Sequence, residues 1–209
     1  EFSLFDAAFL DEISKMKEKN IAVELLKRLL AERVTLYQKT NIVQAEKFSD
    51  LLNRSLSSYL KGLLTNEEVI QELLNLAKEI SSSESAGNDL GLTREEKSFY
   101  DALTKPQAVQ DVYTNEQLVA MTKELTEILR KNRTIDWQKK ESARAGMRKM
   151  VKRLLKKYHY PPEEAANALE TVIRQCEQWT DNDNEINEVK IYSLQNNSYS
   201  KAAEPENNY

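Results

Sequence analysis

Side-chain chemistry needs particular residue types within reach of one another, and this sequence offers few of them. It contains one histidine, His159, and one cysteine, Cys176. A Cys/His nucleophile pair or a zinc site cannot plausibly be assembled from these. His159, beside Tyr160 at an expected helix end, reads as a capping or packing residue. Cys176, near Val172 and Ile173, reads as a small core residue. The four glycines, Gly62, Gly87, Gly91 and Gly146, lie too far apart to form a phosphate-cradling loop. Carboxylates are abundant, but they fall at helix starts and on polar faces, where solvation and the helix dipole account for them. No catalytic, cofactor-binding or metal-binding residue emerges.

One arrangement of charge is unusual. Residues 130–157, RKNRTIDWQKKESARAGMRKMVKRLLKK, hold twelve Lys or Arg against two acids, Asp136 and Glu141. The whole chain has 30 basic and 34 acidic residues, so this segment carries 12 − 2 = +10 and the rest 18 − 32 = −14. Such polarity sets up a local field even in a chain of net charge −4. On a helical wheel at about 100° per residue, Met147, Met150, Val151, Leu154, Leu155 and Tyr158 share one arc. Arg148, Lys149, Lys152, Arg153, Lys156 and Lys157 take the opposite half. Arg148, Lys152 and Lys156 repel one another at i,i+4, so helix stability alone does not select this row.

With Lys139 and Lys140 just upstream, these six cations are candidate contacts for nucleic-acid phosphates or for an acidic partner. The alternative is a solvated face that meets the protein's own acids. Interleaved aromatic residues are sparse, so stacking on single strands is not indicated. Arg144 falls on the apolar arc, between Val151 and Leu155. It is expected to form a structural ion pair within the fold, with Asp136 as the first candidate and Glu96 or Asp101 as others. Otherwise it snorkels toward the helix end.

The elements that carry these residues are helical. Four Gly and four Pro in 209 residues are too few for the turns of a strand-rich or α/β fold. Apolar residues recur at helical spacing, from Phe5, Phe9, Ile13 and Met16 through stripes over residues 20–38 and 45–63. Thr65-Asn66-Glu67-Glu68 and Thr93-Arg94-Glu95-Glu96 are capping boxes that open further helices. Leu118, Met121, Leu125, Ile128 and Leu129 mark another helix, the basic helix covers residues 139–158, and HYPPEE leads into a last one through Trp179. Trp137 sits where it can plug the entry to the basic helix against the helix before it, and is expected to be buried.

The expected fold is all-α, an irregular multi-helix bundle of about eight helices with a polar, disordered C-terminal tail. Its expected divisions are an N-terminal helical segment over 1–80, a linker over 81–92 (SSSESAGNDLG is small, polar and twice interrupted by glycine), a C-terminal bundle over 93–179, and a flexible tail over 180–209. A short strand over Val189 to Leu194 is a weaker reading of that tail. No apolar run approaches the length of a membrane span. The lone cysteine and the lack of a signal peptide point to a cytoplasmic setting. The start at Glu1-Phe2, without Met, is expected of a piece of a longer chain.

Three segments, KNIAVELLKRLLAERV at 19–34, GLTREEKSFYDAL at 91–103 and above all RKNRTIDWQKKESARAGMRKMVKRLLKKYHYPP at 130–162, resemble the C-terminal helical region of the restriction subunit of type I restriction–modification enzymes. NIVQAEKFSDLLN at 41–53 keeps the same order, and the resemblance covers roughly residues 5–179. It implies a parent subunit that is an ATP-dependent type I site-specific deoxyribonuclease and DNA translocase, with ATP and Mg2+ bound in upstream domains. This region would then be a non-catalytic assembly domain that docks the motor onto the methyltransferase subunit. The motor domains of its own parent chain and double-stranded DNA are the other expected partners. The alternatives are an independent DNA-binding helical domain, against which the acidic net charge argues, and a structural lid packing only on the motor domains.

Overall fold

The computed structural model describes residues 5–134 and 137–201, the last twenty of these in backbone only. Nine α-helices and one 3₁₀ turn run through the described residues, with no strand among them. They are α1 (Ala7–Ser14), α2 (Lys19–Thr40), α3 (Ile42–Leu60), α4 (Asn66–Asp89), α5 (Arg94–Thr104), α6 (Gln107–Val112), α7 (Asn115–Asn132), the 3₁₀ turn Trp137–Lys139, α8 (Glu141–Lys157) and α9 (Pro162–Lys201).

Local sequence sets most of the boundaries. Both expected capping boxes form: the Thr65 and Thr93 hydroxyls accept from the amides of Glu68 and Glu96, whose carboxylates accept from the Thr65 and Thr93 amides. A third, between Thr114 and Gln117, opens α7. Helix ends follow a shared rule. After α3, α4 and α8 the chain turns through a left-handed residue, Gly62 (φ 71°), Gly91 (φ 62°) and His159 (φ 56°). In each case the next amide bonds back five residues, Leu63 to Ser58, Leu92 to Gly87 and Tyr160 to Leu155. This is the Schellman arrangement that satisfies the last carbonyls of a helix. His159 therefore stands where glycine stands at the other two ends.

Two apolar cores result. The first joins α1 to α4 around Leu26, Leu30, Phe48, Leu73 and Ile80. The second joins α5 to α9 around Phe99, Leu103, Met121, Leu125, Trp137, Val151 and Val172. A polar seam fastens one to the other where α2 bends into α3. The Asp101 carboxylate, on α5, accepts from Asn41 Nδ2 at 2.8 Å and Gln44 Nε2 at 3.0 Å, and pairs with Lys97. Gln175, on α9, accepts from the Ile42 amide at 2.9 Å and donates to the Thr40 carbonyl at 3.1 Å. Glu46 closes the outer rim, 2.8 Å from Lys105 and 3.0 Å from Arg174. Asn41, Asp101 and Gln175 are buried. Buried polar groups persist where they are mutually satisfied, and these satisfy one another across the two cores.

One expectation about the chain's organisation changes. The segment read as a linker is helical through Asp89 and only its last residues turn. Of its two glycines, Gly87 does not break α4. A Cβ there would lie 3.4 Å from Lys97 Cγ, an ordinary contact with a flexible side chain. Gly91 alone makes the turn. The backbone from 180 to 201 continues α9, through the Val189 to Leu194 stretch considered as a strand. Residues 202–209 lie outside the described residues.

Candidate docking interface on the basic helix

The basic helix α8 is held at both ends. At its start the Trp137 indole is fully buried, as expected, but its partner is the last helix rather than the preceding one. Its Nε1–H donates to Thr180 Oγ1 at 2.9 Å, and that hydroxyl donates to the Cys176 carbonyl at 2.9 Å. At its far end, Tyr158 Oη and Lys157 Nζ both donate to the Glu124 carboxylate of α7, at 2.8 and 2.7 Å. The lysine hydrogen bond holds Glu124 below the usual carboxylate range. Tyr160 Oη donates to the Leu103 carbonyl at 2.6 Å, and burial pushes that phenol's pKa up. Tyr113 Oη donates to the Tyr158 carbonyl at 2.9 Å, beneath the stacked Tyr113 and Tyr160 rings.

Between these anchors α8 lies along α9 and buries Met147, Val151, Leu154 and Leu155, the arc read from the wheel. Two arginines cross to α9. Arg144 Nη2 is 2.8 Å from Glu177 Oε1, and Arg148 Nη2 is 3.1 Å from Glu170 Oε2. Arg144 is therefore paired, but with Glu177. Asp136 lies outside the described residues, Glu96 caps α5, and Asp101 belongs to the seam. The pair is half-open, since the Arg144 side chain keeps 40% of its exposure. An arginine on the apolar arc of an amphipathic helix can reach the edge of its neighbour, so its charge is not sealed in.

The cationic half of α8 divides in two. Arg148 and Lys157 are tied to Glu170 and Glu124. Lys149, Lys152, Arg153 and Lys156 are exposed and have no ion-pair partner among the described residues. Lys139 has a contact within the chain, whereas Lys140, the residue before α8, is exposed and offers no side-chain cap. Arg130, exposed, and Arg133, half-buried, turn toward the last helix from the head of the basic segment. Both guanidinium groups lie over the Trp179 indole, at 5.8 and 4.1 Å from its centroid, and Arg130 also pairs with Glu95 at 2.8 Å. Trp179 is itself buried, edge-on to Phe99 at 5.6 Å.

Beside the unpaired cations lies a groove of about 620 Å3 between α8 and the first turns of α9. Arg148, Lys152 and Lys156 form one wall, and Leu155, Tyr160, Ala165 and Leu169 supply an apolar floor. Pro162, Ala166 and Glu170 form the other wall. The Schellman turn at His159 builds this groove, because it folds Tyr160 back against the end of α8 and starts α9 antiparallel to it. A second exposed apolar area sits at the end of the first core, where Ile21, Leu60 and Leu63 are 56%, 83% and 71% exposed. Burial pushes the Cys176 thiol up to about 12 and keeps it from being a thiolate. Among the described residues, no three or more His, Cys, Asp or Glu side chains are grouped to hold a metal ion. No helix among them is long and apolar enough to cross a membrane.

Sequence reasoning missed Glu170, Glu177 and Thr180, the residues that secure α8. Their signal was present in the seven-residue spacing of the two glutamates, which places them on one face of α9 two turns apart.

Comparison with known proteins agrees with the resemblance. Residues 1–182 match the family described as type I restriction enzyme HindI endonuclease subunit-like, C-terminal. The chain is 37% identical over 178 residues to the type I restriction enzyme HindI endonuclease subunit of Haemophilus influenzae, covering 85% of this chain and 17% of that protein. It is 31% identical over 158 residues to the putative type I restriction enzyme MjaIXP endonuclease subunit of Methanocaldococcus jannaschii, covering 75% of this chain and 15% of that protein. The chain thus spans less than a fifth of the length of these curated relatives. No solved structure matches it.

Proposed function

The chain belongs to the family of C-terminal domains found in HindI-like type I restriction endonucleases, and on that premise we propose that it is a non-catalytic assembly domain. It docks an ATP-dependent translocase and endonuclease, carried on the rest of a longer subunit, onto the methyltransferase core. Binding of ATP and Mg2+ and the nuclease chemistry belong to that remainder.

The observation that carries this reading is the half-paired basic helix. Arg148 and Lys157 are met by the chain's own acids, Glu170 and Glu124. Lys149, Lys152, Arg153 and Lys156 remain exposed and unpaired among the described residues, on a helix fixed at both ends. A rigid cationic surface on an otherwise acidic chain favours an anionic partner. Phosphates of double-stranded DNA beside the methyltransferase core are a second partner for the outermost cations.

The test compares binding of the methyltransferase core to the full-length subunit and to a version lacking this domain, with and without DNA. Association should require the domain and persist without DNA. Equal association of the two forms would refute the assembly role. Binding that appears only with DNA would favour a DNA-binding domain.

A further inference from the structure

The groove between α8 and α9 has a chemistry more specific than a basic surface. Resting on the assembly reading above, we propose that it receives an acidic amphipathic helix of the partner core. Such a helix would set two carboxylates, one turn apart, against Lys152 and Lys156, and lay its aliphatic face along Ala165 and Ala166.

Three features select this occupant. The two lysines lie one turn apart, so their charges advance by about 6 Å along α8. A helix lying alongside presents carboxylates at the same interval when they stand at i and i+4. Second, the floor is apolar. A phosphate backbone has nothing to bury there, whereas the hydrophobic stripe of an amphipathic helix does. Third, the opposite wall carries Glu170, paired with Arg148 at 3.1 Å. That pairing leaves Lys152 and Lys156 as the groove's unpaired charges, free for carboxylates entering from the open side. The occupant's charge is opposite to that of the rim, and its shape is that of a rod lying in a trough. The outer cations Lys149 and Arg153 do not line the groove.

The experiment uses the full-length subunit with a photo-reactive benzoylphenylalanine in place of Ala166, an exposed residue of the groove wall, assembled with the purified methyltransferase core. Irradiation should attach it, with or without DNA, to a core peptide bearing Asp or Glu residues one turn apart. In parallel, Lys152→Glu/Lys156→Glu should weaken association with the core by at least about tenfold, as expected for rim and pocket charges at a docking centre. The milder Lys152→Gln/Lys156→Gln should lose part of that affinity and much of its salt dependence. Cross-linking to DNA or to a second copy of the subunit would overturn the proposal. So would unchanged affinity in both double variants, even while the unaltered subunit still binds the core, in which case docking uses another surface. An unaltered subunit that fails to bind the core would overturn the assembly reading and this proposal together.

Discussion

Replacing Asp101 by Ala tests the seam that joins the two cores. The wild-type carboxylate is buried, pairs with Lys97 and accepts from both Asn41 and Gln44. The side chains of Asp101 and Lys97 are only 8% and 15% exposed, so water screens their interaction little. Removing one member of a buried pair leaves the other charge uncompensated, at a cost of about 3–5 kcal/mol. Two amide donors lose their acceptor as well, which places Asp101→Ala at the upper end of that range. Asp101→Asn keeps an oxygen for one donor but loses the charge, and should cost less. Lys97→Met in the Asp101→Ala background should cost little more than Asp101→Ala alone, because the pair is already broken. Urea denaturation of wild type, Asp101→Ala, Lys97→Met and the double variant, followed by far-ultraviolet circular dichroism, gives the midpoints and the coupling. A coupling below about 0.5 kcal/mol, or an Asp101→Ala cost below about 1 kcal/mol, would show that solvent already reaches the pair and would refute the reasoning.

Other expectations follow from the same geometry. Arg144→Ala breaks a half-open pair and should cost about 1–2 kcal/mol, less than a sealed pair would, whereas Arg148→Ala should cost under about 1 kcal/mol. Equal denaturation midpoints would sink that ranking. His159→Gly should be neutral or stabilising by up to about 1 kcal/mol, because it relieves a left-handed residue, whereas His159→Val should be destabilising; calorimetric Tm shifts of the opposite order would contradict the turn. The Cys176 thiol, pushed up to about 12 by burial, should react with a disulfide reagent at mildly alkaline pH only as fast as the protein opens, and rapid stoichiometric labelling of the folded chain would count against it. The Lys105 hydrogen bond, helped by Arg174, holds Glu46 below the usual carboxylate range. Its contribution is therefore present above the ordinary glutamate pKa and lost as pH falls through the lowered value. The stability gap between wild type and Glu46→Gln should close on acidification, and a gap that widened would reverse the sign.

The sequence made some of this legible and hid the rest for identifiable reasons. Helix starts were readable because Thr65 with Glu68 and Thr93 with Glu96 solve a local problem with local residues. Thr114 with Gln117 carried the same signal unread. The apolar arc of α8 also emerged, because periodicity reports burial directly. Ser81 to Asp89 misled because small polar residues favour turns but do not forbid helix, and because a lone glycine such as Gly87 is tolerated inside a helix. The partners of α8 could not be read, because the bonds from Arg144 to Glu177 and from Trp137 to Thr180 join residues far apart in sequence. The groove escaped for a similar reason, since only the turn at His159 brings Leu155 beside Leu169.

One consequence of the helical arrangement is mechanical. With 40 residues, α9 is a rod about 60 Å long, and its first half lies against α2, α3, α5 and α8. The segment that would have served as a flexible joint is instead the last turns of α4. The two cores are thus bolted at the Asp101 seam and braced by one beam. A load applied to the first core has no slack to take up before it reaches α8, and it turns the groove as part of one block. Bending of one core against the other would have to strain the Asp101 seam, so the seam residues would govern how stiffly the two halves move together.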